Sequence, residues 1–444
     1  MKDMKKVMGL AEFGIVLASF ILYFSLSSFL PMDLAPDEYM RYEVTDYVYK
    51  YHALPVGWAE EIRNPIWGFS YAFTPYLPSI LAAGVMKIVS LFGGVGADFI
   101  IGFRFVSVLS ATGCTWLALS IGKKMFPGWS RSLLYTVCIS LLPQFVFLSA
   151  YLNNDAPAVF SAMLILYGWI WGKERHWDYK SCILLGVGIS VCALTYYNAY
   201  GWILCSVIYF VVTVLTDKTI QNRWKHLLIR GGIITAVGLL LAGWFFIRNA
   251  MLYEGDFLGL DATKACGEIY AQEEYKPSNR VTFKNMGKSI WDMFNETEWF
   301  ERSVDSFFAV FGYMNILVSP KYYVFYRILV GGGLAGFVWG CIRRKAKGGE
   351  VLYICCAICM VLPVILSAIN SYSSDYQQQG RYFMPALPAL MLLTTKGYQW
   401  LEETFKLKKP ILTLLVGMAW IAAFARIFIK VMIPQLYTGI VINM

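Results

Sequence analysis

Charge is scarce in this sequence. Asp, Glu, Lys and Arg supply 15% of its 444 residues, against about a quarter in an ordinary soluble protein. That excludes a disordered chain, a coiled coil and a typical cytosolic enzyme. Histidine is scarcer still, with three residues, and the ten cysteines show no regular Cys/His spacing. Neither a metal cluster nor a disulfide framework follows. Cys355, Cys356 and Cys359 lie in an apolar run and read as small buried apolar residues. Internal repeats and hydrophilic domains are also lacking. What abounds is apolar: 58% of residues are hydrophobic and 17% aromatic. The expected fold class is therefore an all-α polytopic membrane protein, with many aromatics in interfacial belts. The net charge of +9 fits basic cytoplasmic loops better than nucleic-acid binding.

The apolar runs place about eleven spanning helices: Val7–Leu30, Asp98–Gly122, Arg131–Ala150, Ala156–Gly172, Ser181–Tyr196, Tyr200–Thr216, Leu227–Ile247, Tyr322–Ile342, Val351–Ile369, Tyr382–Thr395 and Ile411–Ile429. Lys2, Lys5 and Lys6 put the N-terminus in the cytoplasm, and the long first run reads as an uncleaved helix. A further run, Tyr76–Phe92, is short, contains Lys87 and is bounded by prolines and glycines. If it spanned, Lys123, Lys124, Arg131, Lys173, Arg175 and Arg343 would face outward. If it lies on the surface, they all face the cytoplasm, as the positive-inside rule requires. The expectation is one transmembrane domain over residues 1–444 with two long outer segments, 31–97 and 248–321, and a multi-pass location in the cell membrane. Long loops of this kind usually carry function.

Three groups of polar residues could carry chemistry there. Pro36-Asp37-Glu38 follows the first span, with Arg41 close behind. Adjacent helical side chains diverge by about 100°, so only one of Asp37 and Glu38 can face a reacting hydroxyl as a general base. The plainer reading is an acidic first turn opening a surface helix. Asn153-Asn154-Asp155 precedes Pro157 at the start of the fourth span. Asp155 either caps that helix or supplies a second carboxylate at the depth of Asp37. The cations are Arg104, Arg248, Lys321 and Arg381. An arginine below the interface marks an anion site unless it is paired. For Arg248 and Lys321 a snorkelling interfacial cation is the simpler explanation. Gly331-Gly332-Gly333 lies inside a span and reads as a helix-packing surface.

Taken in order, these motifs resemble the GT-C superfamily. It comprises polytopic glycosyltransferases that use lipid-phosphate-linked sugars, including protein O-mannosyltransferases and bacterial lipid A aminoarabinose transferases. The resemblance rests on Pro36-Asp37-Glu38, Thr74-Pro75-Tyr76-Leu77-Pro78, Arg104, Leu142-Pro143-Gln144, Asn154-Asp155, Trp244 to Asn249, Ser306-Phe307-Phe308 and Gln379-Gly380-Arg381-Tyr382-Phe383-Met384-Pro385. Where many members carry a histidine after the acidic pair, this chain has Met40-Arg41-Tyr42.

The resemblance implies a GT-C-like bundle and an inverting transfer from a polyprenyl-phosphate sugar to a hydroxyl on a glycan, lipid or protein acceptor at the outer membrane face. It implies catalytic roles for Asp37, Glu38 and Asp155, with Asp37 as base and Asp155 orienting the acceptor or binding a divalent cation, Mg or Mn. It puts Arg381, Arg104, Arg248 and Lys321 near the donor phosphate, and Asn154, Tyr382 and Arg41 against sugar or acceptor. The competing reading is a transporter or flippase of lipid-linked or anionic solutes, using the same intramembrane charges. Against it stand the lack of an inverted repeat and the clustering of polar motifs at one face.

Overall fold

The computed structural model describes residues 2–32, 34–344 and 350–436. It is helical almost throughout. The α-helices are α1 (Lys2–Phe29), α2 (Glu38–Tyr51), α3 (Leu77–Leu91), α4 (Ala97–Met125), α5 (Trp129–Ser140), α6 (Pro143–Leu148), α7 (Asp155–Glu174), α8 (Tyr179–Ala193) and α9 (Gly201–Thr216). They continue as α10 (Arg223–Leu252), α11 (Leu260–Tyr270), α12 (Ile290–Glu296), α13 (Trp299–Ala309), α14 (Pro320–Arg344), α15 (Glu350–Ser373), α16 (Leu387–Thr404) and α17 (Ile411–Ile427). Among the described residues, seven helical segments are long and apolar enough to cross a membrane.

Four expected spans fall outside that set: Ala156–Gly172 is the single helix α7, and proline interrupts two of the others. Arg131–Ala150 breaks into α5 and α6 at Pro143, which cannot donate a helical hydrogen bond. Tyr382–Thr395 starts as a 3-10 segment, Gly380–Ala386, containing Pro385, before α16 begins with Pro388 in its first turn. Ser181–Tyr196 is the 15-residue α8.

Ion pairs fix the relative directions of the helices. Lys123 near the end of α4 meets Glu12 near the start of α1 at 2.7 Å. Lys124 also meets Glu174 at the end of α7, and Arg131 meets Glu402 near the end of α16 at 2.8 Å. These basic residues thus gather at one end of the bundle. The motifs of interest lie at the other. Helix α3 begins there, where Leu77 N donates to Leu194 O at the end of α8. It ends in the turn leading to the start of α4, so it does not cross the bundle.

The two long segments dock on each other at this second end. Gly57 N donates to Tyr253 Oη at 2.9 Å, and Gln272 N to Ile66 O at 3.1 Å. Gly68, at φ 70°, sits so close to Ala271 that a Cβ would come within 2.2 Å of its backbone nitrogen. The second segment starts later than expected, because α10 runs on to Leu252. It closes with a two-stranded hairpin pairing Val310 with Leu317 and Phe311 with Ile316. Below, the glycine-rich run packs as expected. A Cβ on Gly397 of α16 would lie 1.8 Å from Gly333 O of α14, so the two backbones touch directly.

Candidate active site

The acidic motif splits in two. Glu38 opens α2 with a fully buried side chain. Its Oε1 accepts from Arg104 Nε at 2.6 Å and its Oε2 from Arg104 Nη2 at 2.7 Å. Leu152 N adds a third bond at 3.1 Å. Arg104 Nη1 donates to the carbonyls of Ser27 and Leu30, at 3.0 and 2.6 Å, and Nη2 to that of Pro31 at 3.3 Å. All five guanidinium N–H groups are therefore engaged. The last carbonyls of a helix have no donors within it, and Arg104 caps those of α1. This corrects two expectations. Glu38 faces no cavity as a base, and Arg104 has no donor left for a phosphate.

Asp37 points the other way. Its backbone is left-handed, with φ 66° and ψ −1°, which costs a non-glycine residue on the order of 1–3 kcal/mol. That turn sends its carboxylate away from the Glu38–Arg104 pair. Asp37 Oδ2 accepts from Arg381 Nη2 at 2.5 Å. Arg381 belongs to the 3-10 segment that precedes α16, fixed by Gly380. A Cβ on Gly380 would lie 2.1 Å from Phe307 N, and Gly380 N donates to Ser306 Oγ at 2.5 Å. Arg381 is buried, yet its Nε has no hydrogen-bond partner.

Asp155 is the first residue of α7, but it does not cap the helix. Asn153 does: its Oδ1 accepts from Ala156 N at 2.9 Å. Asp155 is left with a buried Oδ1 that has no partner, an arrangement that native structures seldom leave without a function. Asn154 Nδ2 donates to Pro75 O at 3.1 Å and Thr195 O at 2.7 Å, tying two loops to the start of α7. Arg41 lies over the Tyr71 ring, 4.4 Å from its centroid, and its Nε is also unpartnered.

Asp37, Arg41, Asn154, Asp155 and Arg381 line one cavity of about 200 Å³. Its walls are Asp37, Arg41, Tyr71, Thr74, Pro75, Asn154, Asp155, Thr195, Tyr196, Tyr197, Arg381 and Tyr382. Two carboxylates face two guanidiniums. Burial opposes the charge on Asp37, but the Arg381 and Arg41 guanidiniums, with hydrogen bonds from Arg381 and Tyr71, outweigh it and hold its carboxyl below the usual carboxylate range. Tyr382 Oη accepts from Arg381 Nη2 at 3.3 Å and donates to Gln377 Oε1.

Of the ten residues singled out in the sequence, Asp37, Arg41, Asn154, Asp155, Arg381 and Tyr382 converge here. Arg248 lies elsewhere, donating to Leu54 O and Pro55 O at 3.0 and 2.9 Å. Lys321 is exposed, with its ammonium 5.5 Å from the Tyr322 ring centroid. Tyr71, Thr195, Tyr196 and Tyr197 were not foreseen, although the pair Tyr196-Tyr197 at the end of an apolar run was a visible sign. A divalent cation does not fit this donor set. Among the described residues no three His, Cys, Asp or Glu side chains converge as ligands, and Arg381 already neutralises Asp37.

The profile of a family described as Dolichyl-phosphate-mannose-protein mannosyltransferase matches residues 74–241. No curated protein matches by sequence. Among solved structures, the oligosaccharyltransferase AglB from Archaeoglobus fulgidus, in complex with an inhibitory peptide and a dolichol-phosphate, superposes with a TM-score of 0.53 at 14% identity, over 94% of this chain and 55% of its own. The apo form of the Archaeoglobus fulgidus oligosaccharyltransferase gives 0.54 at 12%, over 94% and 56%. ArnT from Cupriavidus metallidurans in the apo state gives 0.51 at 15%, over 94% and 64%. The chain thus spans little more than half the length of the archaeal enzymes. These likenesses show that the chain shares the helical membrane fold of AglB and ArnT.

Proposed function

We propose that this chain transfers a sugar from a polyprenyl-phosphate-linked donor to an acceptor hydroxyl, inverting the anomeric carbon. One observation carries the reading: Asp37, Asp155, Arg41 and Arg381 meet in one cavity with hydrogen-bonding capacity to spare. The acceptor oxygen attacks the anomeric carbon while the bond to the phosphate oxygen breaks. The hydroxyl proton goes to Asp37. The bonding pair leaves with the polyprenyl phosphate, whose charge Arg381 and Arg41 hold. Asp155 accepts a hydrogen bond from the acceptor and orients it.

Asp37 paired to Arg381 is a weak base. An incoming phosphate competes for the same guanidinium, so donor binding itself releases Asp37 and raises its basicity. An apolar groove supports a lipid donor. It measures about 630 Å³ and is lined by Phe300, Phe307, Phe308, Met360, Phe383 and Leu390, with others. Phe383 lies two residues from Arg381. The opposite, basic end of the bundle supports a cytoplasmic N-terminus and a site on the outer face.

The test uses purified protein in lipid nanodiscs with a polyprenyl-phosphate sugar. Release of polyprenyl phosphate that stops in Asp37→Asn is the expected result. Movement of intact donor across a bilayer without cleavage would assign a flippase instead.

A further inference from the structure

A second cavity lies on the far side of Gln377 from the first. It measures about 770 Å³, within the range of roughly 300–1,000 Å³ typical of small-molecule sites. Its wall is the segment 375–379, which runs directly into Gly380-Arg381. Gln377 joins the two spaces. Its Oε1 accepts from Tyr382 Oη, which lines the first cavity. Its Nε2 donates to Asp375 Oδ2, on the second, at 2.5 Å. The backbone here is held in place: Trp299 Nε1 donates to Gln377 O at 3.1 Å and to Ser371 Oγ at 2.9 Å.

The lining has a distinct chemistry. Trp67, Tyr313 and Tyr376 offer aromatic faces, and Gln377, Gln378 and Gln379 offer side-chain amides. Four carboxylates, Glu298, Glu301, Asp305 and Asp375, line it. Arg302, also in the lining, pairs with Glu298 at 2.9 Å, and Arg327 beside the cavity pairs with Glu301 at 3.2 Å and with Asp305, so four carboxylates stand against two guanidiniums and an excess of negative charge remains. Aromatic faces cover the C–H faces of pyranose rings, and amides and carboxylates match their hydroxyls, donor for acceptor. A lipid chain would gain little on such a surface, whereas an anionic ligand would meet like charge.

We infer that this cavity is the acceptor site and that it takes a saccharide without negative charge, neutral or amino-bearing. The inference rests on the transferase reading above and narrows its acceptor. It places the reacting hydroxyl of the acceptor at the Gln377–Tyr382 boundary, facing Asp37, with the remaining sugars extending between Trp67 and Tyr313.

The full chain in nanodiscs is titrated with three probes: N-acetylated chitotetraose, its deacetylated amino form and tetragalacturonate. Binding is read by saturation-transfer NMR, and polyprenyl phosphate is titrated in the same preparation. The first two probes should bind, and tetragalacturonate at least tenfold more weakly. Tyr313→Ala, at an exposed position, should weaken saccharide binding at least fivefold at unchanged melting temperature. Combining Glu298→Gln with Asp375→Asn should remove the discrimination against tetragalacturonate. Equal binding of all three probes by the parent, or unaltered binding in these variants, would overturn the inference. So would retention of a tetralysine peptide with no saccharide retained, which would assign the cavity to a basic peptide. A chain that binds polyprenyl phosphate but no saccharide loses this inference and keeps the transferase reading. A chain that binds neither loses both.

Discussion

Asp37 and Glu38 are neighbours in sequence, and each meets an arginine from a distant helix. The two pairs differ in what remains unsatisfied. In Glu38–Arg104 every guanidinium N–H is used, both side chains are fully buried, and the partners include the carbonyl end of α1. In Asp37–Arg381 one contact joins the groups, Arg381 Nε is unpartnered, and Asp155 Oδ1 beside them is unpartnered too. A saturated pair holds the fold and can accept no ligand. An unsaturated one costs stability, and that cost is recovered only when a substrate completes it.

The comparison breaks most visibly at the saturated pair. Glu38→Gln or Arg104→Met should each destabilise the protein by about 3–5 kcal/mol, because each strands a buried charge or its hydrogen-bonding groups. Thermal unfolding in detergent measures this. The double variant Glu38→Met/Arg104→Leu should recover only part of the loss, since the carbonyls of Ser27, Leu30 and Pro31 stay uncapped. Full recovery would show that the cap contributes nothing.

At the unsaturated pair the effect should move from stability to rate. Asp37→Asn should slow turnover by about 10²–10⁴-fold with the unfolding temperature nearly unchanged. A matching loss of stability would make Asp37 a second structural acid. Arg381→Lys keeps the charge but not the planar fork. With charge-assisted bonds contributing about 1.5–3 kcal/mol, donor affinity should fall about 10–100-fold in a direct binding titration. Unchanged affinity would put the phosphate elsewhere.

A smaller effect should appear in the pH profiles. In the free protein Arg381 and Arg41 hold the Asp37 carboxyl low. Once a phosphate takes Arg381, that pull weakens and the Asp37 pKa rises. The acid limb of kcat, which reports the bound state, should therefore lie at higher pH than that of kcat/KM, which reports the free state. Coincident limbs would show that donor binding leaves the pair intact. Smallest of all, chelation of divalent cations should leave turnover unchanged. A requirement for Mg or Mn would place an ion between Asp37 and Asp155 and displace Arg381 from its present role.

The same two pairs show what the sequence could reveal. The fold class, the non-crossing α3 and the glycine packing of α14 were legible, because hydropathy and loop charge act over many residues at once. Asp37, Asp155 and Arg381 stood out as polar residues at the ends of apolar runs. Which acid met which arginine was not legible. It turns on one left-handed residue, Asp37, that redirects the carboxylate, and on helix α1 ending where Arg104 can reach its carbonyls. The role of Asn153 as the cap was hidden for a similar reason: three consecutive residues, Asn153-Asn154-Asp155, were all plausible caps by type. The two cavities were invisible, since both are shared by segments hundreds of residues apart.

The direct contact of Gly397 with Gly333 sets a depth. With a backbone oxygen where any side chain of residue 397 would stand, α16 passes α14 at a level that a glycine at 397 permits. The 3-10 segment that carries Arg381 is continuous with α16. How far its guanidinium reaches towards the cavity is thus gauged by a glycine contact more than two helical turns along the same helix. Under the proposed function, the level at which the phosphate of a lipid donor would sit is then a property of the helix crossing rather than of the residues that would touch it.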